Sequence, residues 1–155
     1  MSDAALLALL SQETALVNAF MATLDQETEA LGLPEAHTAL DAAAQQKAAQ
    51  ADALRALGAQ REACLRAQGL PVGREGMQIA CARHAEVAEA WEMLAALAAL
   101  AATKNNANGE AIQQQMADVQ ERMNTLRGLQ MKETGTYDAR GRAKGPSTGR
   151  TLAAG

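Results

Sequence analysis

From Leu7 to Leu31 the positions Leu7, Leu10, Thr14, Val17, Met21, Leu24, Thr28 and Leu31 recur at alternating steps of three and four residues. Such a step returns again and again to one face of an α-helix, and to no face of a strand, so the segment commits the chain to helices packed along a seam. The rest of the chain offers little that would form a sheet. Ala, Leu, Gln, Glu, Met and Arg dominate, all good helix formers, and the fold class read from them is all-α. Aromatic residues are 2% of the 155, namely Phe20, Trp91 and Tyr137, so the core has to be aliphatic. Alanine then sets close helix approach and the seven Met fill gaps.

Punctuation divides the chain into four helices. The first is expected from Asp3 to Leu31, with Gly32 closing it and Pro34 suiting the first turn of the next. The second, Glu35 to Gln68, is mostly Ala and Gln, with Leu40, Leu54, Leu57, Cys64 and Leu65 as its larger anchors. "GLPVGREG", Gly69 to Gly76, interrupts it. The third carries Met77, Ala80, His84, Val87, Trp91, Leu94, Ala98 and Ala101 on its seam. It is expected to end at "NNANG", where Asn105, Asn108 and Gly109 favour a structural turn, because Asn tolerates the left-handed backbone region and Gly enters it freely. The fourth, Glu110 to Lys132, places Ile112, Met116, Val119, Met123, Leu126 and Leu129 on one stripe. Short connections favour an antiparallel up-down four-helix bundle over residues 1–132. Beyond it, residues 133–155 lose apolar spacing and turn to Gly, Ser, Thr and Arg, the composition of a flexible C-terminal tail.

Charge narrows the function classes. The net −4 divides into −6 for residues 1–132 and +2 for residues 133–155, an acidic body without the basic footprint of a nucleic-acid binder. Asp3 stands where a signal peptide carries positive charge, and "MLAALAALAA", Met93 to Ala102, falls short of the roughly 20 apolar residues of a membrane span. The expectation is a cytoplasmic protein without membrane insertion, Cys64 and Cys81 being reduced and structural.

Chemical motifs are scarce. "GPSTGRT", Gly145 to Thr151, has three residues between its glycines where a phosphate loop has four, Arg150 in place of Lys, and no strand before it. "HAEVAEAWE" brings His84, Glu86, Glu89 and Glu92 together, but a di-iron bundle requires Glu-x-x-His pairs on separate helices. His84 and Trp91 read as seam residues and the glutamates as a solvated face. Neither catalytic residues, nor a metal site, nor a cofactor is expected. A binding module fits better, because Met side chains adapt to varied partners and an amphipathic helix needs only an apolar stripe to dock. On this reading Met116, Val119, Met123 and Leu126 bind a client.

Several motifs together resemble one family. The order "LLALL…E…L" in the first helix, an Ala-, Gln- and Arg-rich second helix, "NNANG", a Gln-rich helix ending in Leu and the tail "TYDARGR" resemble the FlgN-type flagellar export chaperones over nearly the whole chain. That resemblance implies a cytosolic helical chaperone for the C-terminal helical ends of the hook-associated (hook-filament junction) proteins, and the expected free state is a monomer or weak homodimer. It implies that the chaperone prevents their premature assembly in flagellar type III secretion and delivers them to the cytosolic domain of the export gate. By the same resemblance "NNANG" is a scaffold turn, and Tyr137 matches the tail tyrosine that docks on the gate. Two other classes compete: an adaptor bundle that oligomerises through the first helix seam with no export role, and a mutase-type helical enzyme, which would need inward-facing Arg or Lys to hold an anionic substrate, where the seams hold almost none and only Arg61 and Lys47 lie near one.

Overall fold

The computed structural model describes residues 2–136. They form α1 (Ser2–Leu31), α2 (His37–Ala67), α3 (Arg74–Arg83) and α4 (Ala85–Thr136), with no strand among the described residues. The chain divides into two compact units, Met1–Ile112 and Gln113–Gly155, and the division falls inside α4.

In the first unit, ion pairs report the direction of each helix. Arg61 Nε lies 2.8 Å from Glu13 Oε1 and Lys47 Nζ lies 3.2 Å from Glu27 Oε1, so α2 descends as α1 rises. His84 Nε2 meets Asp3 Oδ2 at 3.1 Å and Lys104 Nζ meets Asp25 Oδ1 at 2.8 Å, so this part of α4 runs parallel to α1. The arrangement is up-down-up, with α3 in the second connection. The core joins Leu6, Leu10, Val17 and Leu24 of α1 to Leu65 of α2, Leu70 of the loop, Met77 and Ala80 of α3, and Val87, Leu94 and Ala101 of α4. As expected it is aliphatic: Phe20 and Trp91 are only partly buried against it. Each fully buried Leu or Met contributes about 1.5–3 kcal/mol relative to exposure.

The α1 seam is rotated slightly from the expected one. Leu10, Val17 and Leu24 are buried as anticipated, but Glu13 and Glu27, at 6% and 2% exposure, take the inward places expected of their neighbours Thr14 and Thr28. Their cationic partners from α2 make these carboxylates tolerable inside. Over Asp3–Leu31 this helix is also long and apolar enough to cross a membrane. Its apolar face and its paired carboxylates are instead packed into the bundle.

The expected turn at "NNANG" does not form. Asn105, Asn108 and Gly109 lie within α4, and no non-glycine residue among those described has a positive φ. The third and fourth expected helices are therefore one helix, and the four-helix up-down arrangement is replaced by the up-down-up unit and the further length of α4. The break lies earlier, at His84, whose extended backbone (φ −138°, ψ 114°) separates α3 from α4. His84 thus sits at a helix junction, partly exposed beside Asp3, rather than on a continuous core seam.

Glycine does decide the connection before α3. Gly69 and Gly73 have φ of 70° and 81°, the left-handed region. The Glu62 carboxylate accepts from the Gly73 N–H at 3.0 Å, tying the start of α3 to α2. Of the expected tail, residues up to Thr136 continue α4, and the remainder lies outside the described residues.

Candidate functional site

In the second unit the described part of α4 forms a helix without a core. Every residue from Gln113 to Lys132 is exposed. Local chemistry sustains it: Gln114 Nε2 donates to Asp118 Oδ1 at 3.1 Å, Gln120 Nε2 to Asn124 Oδ1 at 3.0 Å, and the Thr125 hydroxyl to the Glu121 carbonyl at 3.0 Å. Pairs at this spacing add a few tenths of a kcal/mol each, and Gly128 removes about 1 kcal/mol relative to Ala. A segment of this length is marginal as a free helix, so a partner that covers it also orders it.

The expected client residues lie on one face of this helix. Met116, Val119, Met123 and Leu126 are 67%, 52%, 44% and 61% exposed, and Leu129 (53%) extends the row. From Met116 to Leu129 the row is about 20 Å long at 1.5 Å per residue. A contiguous exposed apolar strip is uncommon in soluble monomers, and protein–protein docking surfaces are one of the places where it is found. Sulfur-bearing side chains without a fixed shape suit more than one partner. What the described residues of this helix offer chemically is an apolar face able to cover another apolar stripe. Tyr137 lies outside the described residues.

The conspicuous polar groups of the first unit are engaged in structure. Asn108, 5% exposed, donates from Nδ2 to the Leu24 carbonyl at 2.9 Å and to Glu27 Oε1 at 3.0 Å, while its Oδ1 accepts from the Thr28 hydroxyl at 2.8 Å. These bonds from α4 to α1 outweigh the poor helix propensity of the asparagine cluster, which is why the expected turn is helical. Two heptads away along α1, Arg61 bonds Glu13 and lies 5.0 Å from the centre of the Trp91 ring, a cation–π contact that joins the three long helices. Lys47 and Arg61 thus already have carboxylate partners and offer no open anion pocket of the kind a mutase would need. Cys64 and Cys81 are free thiols. Burial, and then the charge of Glu92, push the Cys81 thiol above its ordinary range against a backbone hydrogen bond, the opposite of nucleophilic activation. Among the described residues no three His, Cys, Asp or Glu converge as metal ligands.

Sequence reasoning found the stripe and missed the buried polar layers. A signal existed: Glu13 and Glu27 stand two heptads apart, as do Lys47 and Arg61 on the next helix, so an antiparallel hairpin brings both pairs together. No curated protein and no solved structure matches the chain. A family model described as FlgN protein matches residues 1–145, nearly the whole length. The exposed stripe of α4 and the helical bundle before it therefore belong to a member of the FlgN family, whose proteins are flagellar export chaperones.

Proposed function

We propose that this chain holds the C-terminal helical ends of hook-associated proteins on the Met116, Val119, Met123 and Leu126 stripe, keeping them in the cytosol from assembling early. In flagellar type III secretion it then hands them to the cytosolic domain of the export gate. The observation that carries this reading is the apolar stripe left exposed along α4. A client end that is disordered when free must be ordered on binding, and the apolar contact has to offset that cost.

Magnitudes indicate how far the contact extends. Four fully exposed side chains of this kind would contribute roughly 6–12 kcal/mol on burial, at about 1.5–3 each, and these four, already partly covered, contribute less, against an association cost of about 4–15 kcal/mol. Micromolar binding requires about 8 kcal/mol net, so the client has to cover Leu129 as well and add contacts of its own. Tyr137 is the proposed anchor for the gate: a tyrosine offers a large apolar face and a hydroxyl at small rotamer cost, as interface hot spots do.

The rival adaptor reading depends on a free seam on α1. Leu10, Val17 and Leu24 are instead buried within the first unit, which disfavours it. Calorimetric titration with the helical C-terminal segment of a hook-associated protein provides the test. Met123→Glu, an exposed change, should leave the thermal transition in place and weaken binding at least tenfold by setting a carboxylate in the apolar contact. A folded Met123→Glu protein with full affinity would exclude the stripe.

A further inference from the structure

The stripe carries a charge code on its flanks. Its heptad register places Met116 and Met123 at a, and Ile112, Val119 and Leu126 at d. The positions that border such a seam, e and g, then include Arg122 and Arg127, both exposed, together with Gln113, Gln115, Gln120 and Leu129. The acidic residues of this stretch, Asp118 and Glu121, fall at c and f, away from the seam. Every charge at the border is therefore positive, and among the described residues neither arginine is engaged in an ion pair.

A second copy of this helix is a poor occupant. In a parallel pair the g position of one chain meets the following e position of the other, so Arg122 would face Arg127. In an antiparallel pair g meets g and e meets e, and no register brings a carboxylate to either arginine. Like charges at these positions act against pairing, and complementary ones select the partner.

We infer that the occupant of the stripe is an amphipathic helix whose own seam is bordered by Asp or Glu, set to meet Arg122 and Arg127, and that the same two arginines keep the chaperone from pairing with itself. This rests on the reading of the stripe as a client site and specifies the client's chemistry. Exposed pairs are individually weak, so the arginines select among apolar helices rather than supply most of the affinity.

Two synthetic peptides test it, identical in a Leu seam and carrying Glu at every e and g position in one and Lys in the other; like charges hinder each from pairing with itself. Fluorescence anisotropy with the full-length protein should show the Glu peptide binding roughly three- to thirty-fold tighter at low salt, a preference that shrinks at high salt. In the Arg122→Glu, Arg127→Glu double variant the preference should invert. Equal affinity for both peptides would overturn the charge code and leave the stripe reading standing. Binding of neither peptide would overturn both. Sedimentation velocity should show no dimer that Met123→Glu abolishes; such a dimer would assign the face to a second copy.

Discussion

Asn108 and its neighbour Gly109 make opposite contributions to the same turn of α4. The asparagine is buried, and its side chain supplies three hydrogen bonds to α1. Asn108→Ala should therefore destabilise the protein by about 1–3 kcal/mol, the cost of leaving buried polar groups without partners, and urea unfolding measures it. Gly109 adopts no positive φ, and a methyl group there would meet nothing within 4 Å. Gly109→Ala should stabilise by up to about 1 kcal/mol through helix propensity. A left-handed turn at this site would reverse that sign, so a lowered melting temperature in Gly109→Ala would contradict the continuous helix. The Glu27–Lys47 pair behaves as a unit in the same layer. Lys47→Met alone leaves a buried carboxylate short of a cation and should cost about 3–5 kcal/mol, whereas joining it to Glu27→Leu should recover much of the loss. Equal losses in the single and double variants would show that the pair carries no coupling.

At the scale of elements, the two breaks that flank α3 follow different rules. The connection before α3 is specified by glycine, and most tightly at Gly76: a Cβ there would lie 1.8 Å from the Pro71 carbonyl oxygen. Gly76→Ala should force the Pro71 backbone away from α3 and cost roughly 1–3 kcal/mol or more, read by thermal unfolding; a neutral change would mean the loop yields freely. This break was legible in "GLPVGREG". The break at His84 was not, since "CARHAEV" holds neither Gly nor Pro to mark it. Nor was the continuity of α4. Asparagine and glycine report local preference, while the bonds that keep Asn108 helical come from residues far away in sequence. The α1 seam was read correctly at Leu10, Val17 and Leu24 and wrongly beside Glu13 and Glu27, because a carboxylate becomes a core residue only when its cation is known. The stripe from Met116 to Leu126 was fully legible, since periodicity alone defines it.

For the molecule as a whole, the two units divide the work by burial. The first builds an apolar core and pairs its buried carboxylates, while leaving Leu33, Val72, Met93 and Leu100 exposed; the second, as far as it is described, leaves its whole apolar row to solvent. The proposed client site on that row fits this division. Methyl NMR with labelled methionine addresses this most directly, because the chain holds methionines in three environments: Met116 and Met123 on the row, Met77 at 0% exposure in the core, and Met93 at 60% exposure on the first unit. On adding the C-terminal helical segment of a hook-associated protein, the Met116 and Met123 signals should shift and saturate together, with Met77 and Met93 unchanged. Saturable shifts at Met93 with Met116 and Met123 silent would contradict the account and move the client site to the first unit.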